Sequence, residues 1–108
     1  YLINTFLSVK VSFANEIYQI CEGLKIDYDK VVEYATYDER LGDSHWNVPG
    51  HDGDFGFGGH CFPKDLAALI HLAENLNVID NVLSAAEQTN TQVRTNRDWE
   101  RMKGRAVS

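Results

Sequence analysis

Cysteine is scarce in this chain: 108 residues hold two, Cys21 and Cys61. A small domain stapled by disulfides needs more, so both are read as free thiols in a reducing compartment, the cytoplasm. Proline also occurs only twice, at Pro49 and Pro63. No apolar run approaches the ~20 residues of a membrane span, and nothing resembles a signal peptide. Basic residues are outnumbered, ten Lys and Arg against sixteen Asp and Glu, for a net charge of −6. That balance argues against a nucleic-acid surface and leaves room for a local basic pocket for an anionic small molecule. Internal repeats and low-complexity segments are lacking too. The chain starts at Tyr1 rather than Met, and we expect it to be cut from something larger.

What is there reads as one all-α domain with a single modest core. Apolar residues Phe6, Val9, Phe13, Ile17, Ile20 and Leu24 recur at three- and four-residue steps. A second stripe, Leu7, Val11, Ala14, Tyr18 and Cys21, lies beside it. Together they predict one long helix over residues 1 to 24, buried on more than one side and serving as a central strut. Its start is expected upstream of Tyr1, and Gly23 marks its end. Asp27 or Asp29 caps a second helix to about Ala35, and Gly42 stops a short turn over Thr36 to Leu41. Residues 42 to 60 form a glycine-rich loop, long enough to be functional or disordered; Trp46, Phe55 and Phe57 argue against disorder. Pro63 suits the first turn of a third helix running to about Leu76. A fourth spans about Asp80 to Val93. Asn96 caps a short fifth helix containing Trp99 and Met102, which Lys103-Gly104 closes. Ala106-Val107 is read as the opening of a strand. The helical domain thus covers residues 1–103, and 104–108 either open a further domain or form a tail.

The stretch Phe55-Gly56-Phe57-Gly58-Gly59-His60-Cys61-Phe62-Pro63-Lys64-Asp65 carries the chemistry. A cysteine at a helix N-terminus feels the positive end of that helix, which favours the thiolate. Lys64 works in the same direction and Asp65 against it. The functional reading of Cys61 is a nucleophile; the bland one is a small buried thiol. Cys21, in a helical stripe, reads as core packing. Gly56, Gly58 and Gly59 either let backbone N–H groups face phosphate or sugar oxygens, or serve a turn that needs positive φ. Asp65, four residues after Cys61, either orients water or caps the first helical turn. Asn4 and Asn15 are mildly unfavourable inside an apolar helix, so each serves a site or another helix. His45, His51 and His60 match no paired-ligand spacing, and no metal is expected. Arg40 is either solvated surface or a clamp for a carboxylate or phosphate.

FGFGGHCFPKD resembles the catalytic-cysteine motif of the nucleotide-sugar dehydrogenases, the UDP-glucose branch above all. Asn4-Thr5-Phe6-Leu7 through Phe13-Ala14-Asn15-Glu16-Ile17 resembles a helix of that family, and Asp38-Glu39-Arg40-Leu41-Gly42 its D-x-R-[IL]-G. The resemblance implies the central helical domain of such an enzyme, similar to the helical dimerisation domain at the C-terminus of 6-phosphogluconate dehydrogenase. Relatives hold it between an NAD-binding domain and a UDP-binding domain, and its long helix helps build a homodimer. The implied activity is the oxidation of UDP-glucose to UDP-glucuronate in two NAD-dependent steps, through a thiohemiacetal and then a thioester on the cysteine. By resemblance Cys61 is the nucleophile, Asn4 holds the reacting oxygen and Asp65 stands by the hydrolytic water. Phe55, Gly56, Phe57, Gly58 and Gly59 match the loop around the sugar nucleotide. Arg40 matches an arginine that reaches the neighbouring subunit's substrate, and Trp46 an aromatic beside the substrate. The loop before the motif is several residues longer than in short relatives. The family's catalytic lysine would fall just before Tyr1, and the NAD site in an N-terminal domain not in this sequence, so this chain alone is expected to be inactive. GDP-mannose and UDP-N-acetylmannosamine dehydrogenases share parts of the motif; Lys64-Asp65 favours the UDP-glucose and GDP-mannose branches. A reading from a different class is a non-catalytic helical dimerisation module.

Overall fold

The computed structural model describes residues 1–101. Among these, five α-helices run in order: α1 Leu2–Leu24, α2 Tyr28–Ala35, α3 Cys61–Asn75, α4 Asn81–Val93 and α5 Asp98–Arg101. A 3-10 turn at Glu39–Leu41 lies between α2 and α3. No strand occurs among the described residues, and the all-α expectation holds. The expectations for Met102, Lys103-Gly104 and Ala106-Val107 lie outside them. No helix is long and apolar enough to cross a membrane, among the same residues.

The helix boundaries follow local chemistry. The Asp27 carboxylate accepts hydrogen bonds from the Asp29 and Lys30 amides and so caps α2. Asp38 does the same for the 3-10 turn, which Gly42 ends at φ 65°. α1 stops after Leu24 as the pattern predicts, but Lys25 rather than Gly23 takes the left-handed conformation, at φ 58°. The Lys25 and Ile26 amides then close on Glu22 and Cys21 carbonyls, satisfying orphan acceptors of the last turn. α5 begins at Asp98, two residues beyond Asn96.

α1 is the strut, and α3 and α4 both pack on it. The face it turns to them differs from the expected one. Thr5, Ser8, Ser12, Ala14 and Asn15 are buried, with Ser8 fully so. Small side chains bring backbones close: the Ser12 hydroxyl donates to the Ala86 carbonyl of α4 at 2.7 Å. The expected apolar stripe is largely open instead, with Phe6 64%, Phe13 53%, Ile20 56% and Leu24 64% exposed. The correction has a simple cause. Three helices and a loop cover one side of α1, and none of the described residues covers the other. Two apolar clusters result. One gathers Ala14, Cys21, Tyr28 and Val48 with Ile17, Tyr18, Trp46 and Phe55. The other gathers Phe57, Leu66 and Ala86 with Val9, Val11, Phe62 and Ile70.

Candidate active site

α3 opens at Cys61, and His60 at its N-cap makes no side-chain cap bond. The first amides of a helix have no intrahelical acceptor, so this end stabilises negative charge at its mouth. Cys61 is exposed there, while Cys21 is buried in the first cluster as expected. Pro63 falls in the first turn, where its missing N–H leaves nothing unsatisfied.

Asp65 sits one turn further and is buried. Its carboxylate turns to α1, where the Asn4 amide donates to Oδ2 at 2.8 Å. Lys64 Nζ lies 3.6 Å from Oδ1. Asn4 and Asp65 are 61 residues apart in sequence, and the fold joins them directly. No side-chain cap bond closes the start of α3, and the Asp65 carboxylate pairs with Asn4 instead.

A cavity of about 320 Å³ opens beside the thiol, lined among others by Val11, His45, His51, Asp52, Gly56, Phe57, Gly58, Cys61 and Phe62. His45 stacks on Phe62 with ring centroids 5.8 Å apart. No group of three His, Cys, Asp or Glu able to hold a metal ion occurs among the described residues.

The glycine run forms part of the wall of this cavity, and three of its amides are already engaged. The Gly56 N–H donates to Asn15 Oδ1 at 3.1 Å, and the Phe57 N–H to Asn90 Oδ1 at 2.7 Å. Asn90 Nδ2 returns a bond to the Phe57 carbonyl at 2.9 Å. The Gly59 N–H meets both Asp98 oxygens, at 3.0 and 3.1 Å. These amides therefore face the protein and not a ligand. A Cβ at Gly56 would overlap the Asn90 side chain, and one at Gly58 would overlap the Arg94 guanidinium. Glycine is required here for close approach, and at Gly56 also for φ 67°.

A match to a family model completes these observations: residues 1–92 fit the UDP-glucose/GDP-mannose dehydrogenase family, central domain. The chain belongs to that family. It is 36% identical over 94 residues to UDP-glucose 6-dehydrogenase TuaD of Bacillus subtilis, covering 87% of this chain and 19% of the relative. It is 37% identical over 92 residues to a UDP-glucose 6-dehydrogenase of Pseudomonas aeruginosa, with 85% and 19% covered. A Rickettsia felis protein of the same name is 35% identical over 92 residues, again covering 85% and 19%. The chain thus spans about a fifth of the length of these relatives.

Within this family domain the sequence-derived residues fall into separate groups. Cys61, Gly56, Phe57 and Gly58 share the cavity, and Asn4 and Asp65 form a pair on α1 and α3. Phe55 packs on Tyr18, 5.8 Å between centroids, in the first cluster. Trp46 packs on Phe13, donates its indole N–H to the Gly42 carbonyl and lies under Lys10 Nζ; it lines an apolar groove between α1 and α2, not the Cys61 cavity. Arg40 is exposed and forks onto Asp38 at 3.0 and 2.7 Å. Within one chain it does not meet the cavity. The residues that hold the loop, Asn90, Arg94 and Asp98, escaped the sequence reading. Only Asn15 had given a signal, as an amide in an apolar helix.

Proposed function

We propose that this chain is the cysteine-bearing central domain of a UDP-glucose 6-dehydrogenase. The observation that carries the reading is Cys61 at the mouth of α3, beside a cavity, with Asp65 one turn on and fixed by Asn4. The names and coverage of the relatives support it. Two oxidations of a primary alcohol need a hydride acceptor, which in this family is NAD. The described residues include no strand to carry a dinucleotide fold, so they do not form its site, which belongs to the rest of the full-length protein.

What this domain supplies is the thiol chemistry. The Cys61 thiolate adds to the C6 aldehyde; the S–C bond forms as the carbonyl pair moves to oxygen, giving a thiohemiacetal. The Asn4 amide holds that oxygen. Once the adduct is oxidised at C6, water attacks the thioester carbon, the S–C bond breaks, and the acid and the free thiolate separate. Asp65, buried and held by Asn4, orients this water. The open stripe Phe6, Phe13, Ile20 and Leu24 is the homodimer face, and Arg40 reaches the partner's substrate across it. With both thiols free, the reaction belongs in the cytoplasm. This chain by itself does not turn over.

Cys61→Ser in the full-length protein tests the reading. Formation of UDP-glucuronate should be lost while the dimer persists. Unchanged oxidation would leave the domain a dimerisation scaffold.

A further inference from the structure

Arg94 sits at the C-cap of α4, where an arginine would ordinarily reach into water. Its side chain is only 2% exposed. The guanidinium donates to Asp52 Oδ2 at 2.7 Å, to the Asn96 carbonyl at 2.7 Å and to the Phe55 carbonyl at 3.3 Å. Two more carboxylates stand close, Asp54 at 3.5 Å and Asp98 at 3.8 Å. Three carboxylates around one cation leave surplus negative charge, and backbone amides absorb it. Asp54 accepts from the Phe55, Thr95 and Asn96 amides. Asp98 accepts from the Gly59 amide. One guanidinium thus ties the end of α4 and the start of α5 to both sides of the glycine run. Gly59 is two residues before Cys61, so little chain separates this anchor from the thiol.

We infer that Arg94, acting through Asp52 and Asp98, is the positioning residue that fixes the Cys61 loop for reaction. It touches neither the thiol nor the substrate; it sets where the helix mouth and its sulfur stand. Only an arginine offers this fork: a lysine has a single nitrogen and cannot meet Asp52, Phe55 and Asn96 in one plane. Because Asp52 also lines the cavity, the same contact offsets a carboxylate that would repel an anionic sugar nucleotide. The inference rests on the reading of Cys61 as nucleophile, and the test separates the two.

In the full-length protein, Arg94→Lys and Asp98→Asn are compared with wild type and with Cys61→Ser. Measured are kcat and KM for UDP-glucose, the melting temperature, and the rate of Cys61 alkylation by iodoacetamide read from peptide masses. Displacing a reacting atom by about 1 Å costs on the order of 10²-fold in rate, so kcat should fall about 10- to 100-fold in both variants. KM should change little in Asp98→Asn and rise in Arg94→Lys. Alkylation of Cys61 should slow in both. A role in stability alone would lower the melting temperature and leave kcat at the working temperature unmoved. If Arg94→Lys fails to fold, Asp98→Asn decides. Wild-type kcat and alkylation rate in the folded variants overturn the clamp, whatever Cys61→Ser does. Undiminished oxidation in Cys61→Ser overturns the nucleophile reading instead, and alkylation still reports on the clamp.

Discussion

The Tyr28 hydroxyl donates to the Trp46 carbonyl at 2.6 Å, pinning the loop to α2. Burial, with Asp29 and Cys21 adding to it, pushes this phenol up to about 12 from its ordinary 10.0. A group whose folded value is raised stabilises fully below its unfolded value and loses that contribution as pH climbs through the folded one. Unfolding free energy should therefore fall between pH 10 and 12 in the wild type, and this fall should be absent in Tyr28→Phe; urea titrations across that range measure it. Asp54 gives the opposite sign. Burial pushes it up, but hydrogen bonds from Asn96, Thr95 and Phe55 outweigh that and hold it at about 2, below its ordinary 3.8. Its contribution to stability is complete above 3.8 and is lost as pH falls toward 2. The motif itself was legible residue by residue: glycines, a thiol, a proline and an acid in that order announce a built loop at a helix start. The residues that hold the loop were not. An arginine near a helix end reads as surface, and nothing local reveals that Asp52, 42 residues earlier, comes to meet it.

At the scale of elements, α1 is an apolar helix that packs by its small polar side. The period of Phe6, Phe13, Ile20 and Leu24 showed that an apolar face exists; it did not say whether this chain covers it. The covered face is written in Thr5, Ser8, Ser12 and Asn15, three and four residues apart. Such residues are weak signals singly, and their meaning lies in how near α4 can come. Ser8 is fully buried. Ser8→Leu adds volume where none is free and should destabilise by about 1–3 kcal/mol, seen as a lower urea midpoint at unchanged slope. Ser12→Ala loses one bond and leaves the Ala86 carbonyl short of a donor, a change of about 1 kcal/mol. A larger loss from Ser12→Ala than from Ser8→Leu would contradict this view of the interface. Gly58→Ala should act through the loop, since its Cβ meets Arg94. It should slow oxidation while leaving helix content, by circular dichroism, as it was.

For the whole molecule, the open side of α1 is an exposed apolar surface among the described residues. Phe6 and Phe13 lie seven residues apart on it. On the proposal that it is the homodimer face, it should tolerate no charge: Phe6→Glu with Phe13→Glu should turn the full-length protein monomeric in sedimentation, with the helical fold kept. The same proposal predicts that oxidation falls too, since Arg40 would have no neighbouring site to reach. A double variant that stays dimeric would move the interface elsewhere. The most direct test of the central claim traps the covalent intermediate. The full-length protein carrying Asp65→Asn is mixed with UDP-glucose and NAD, quenched in acid, and its peptides weighed. The account predicts that the Cys61 peptide alone gains the mass of the uridine-diphospho-uronyl group, and that hydroxylamine removes it. Oxidation proceeding with the Cys61 peptide unmodified, or with the adduct on another thiol, would contradict the assignment of Cys61 as the nucleophile.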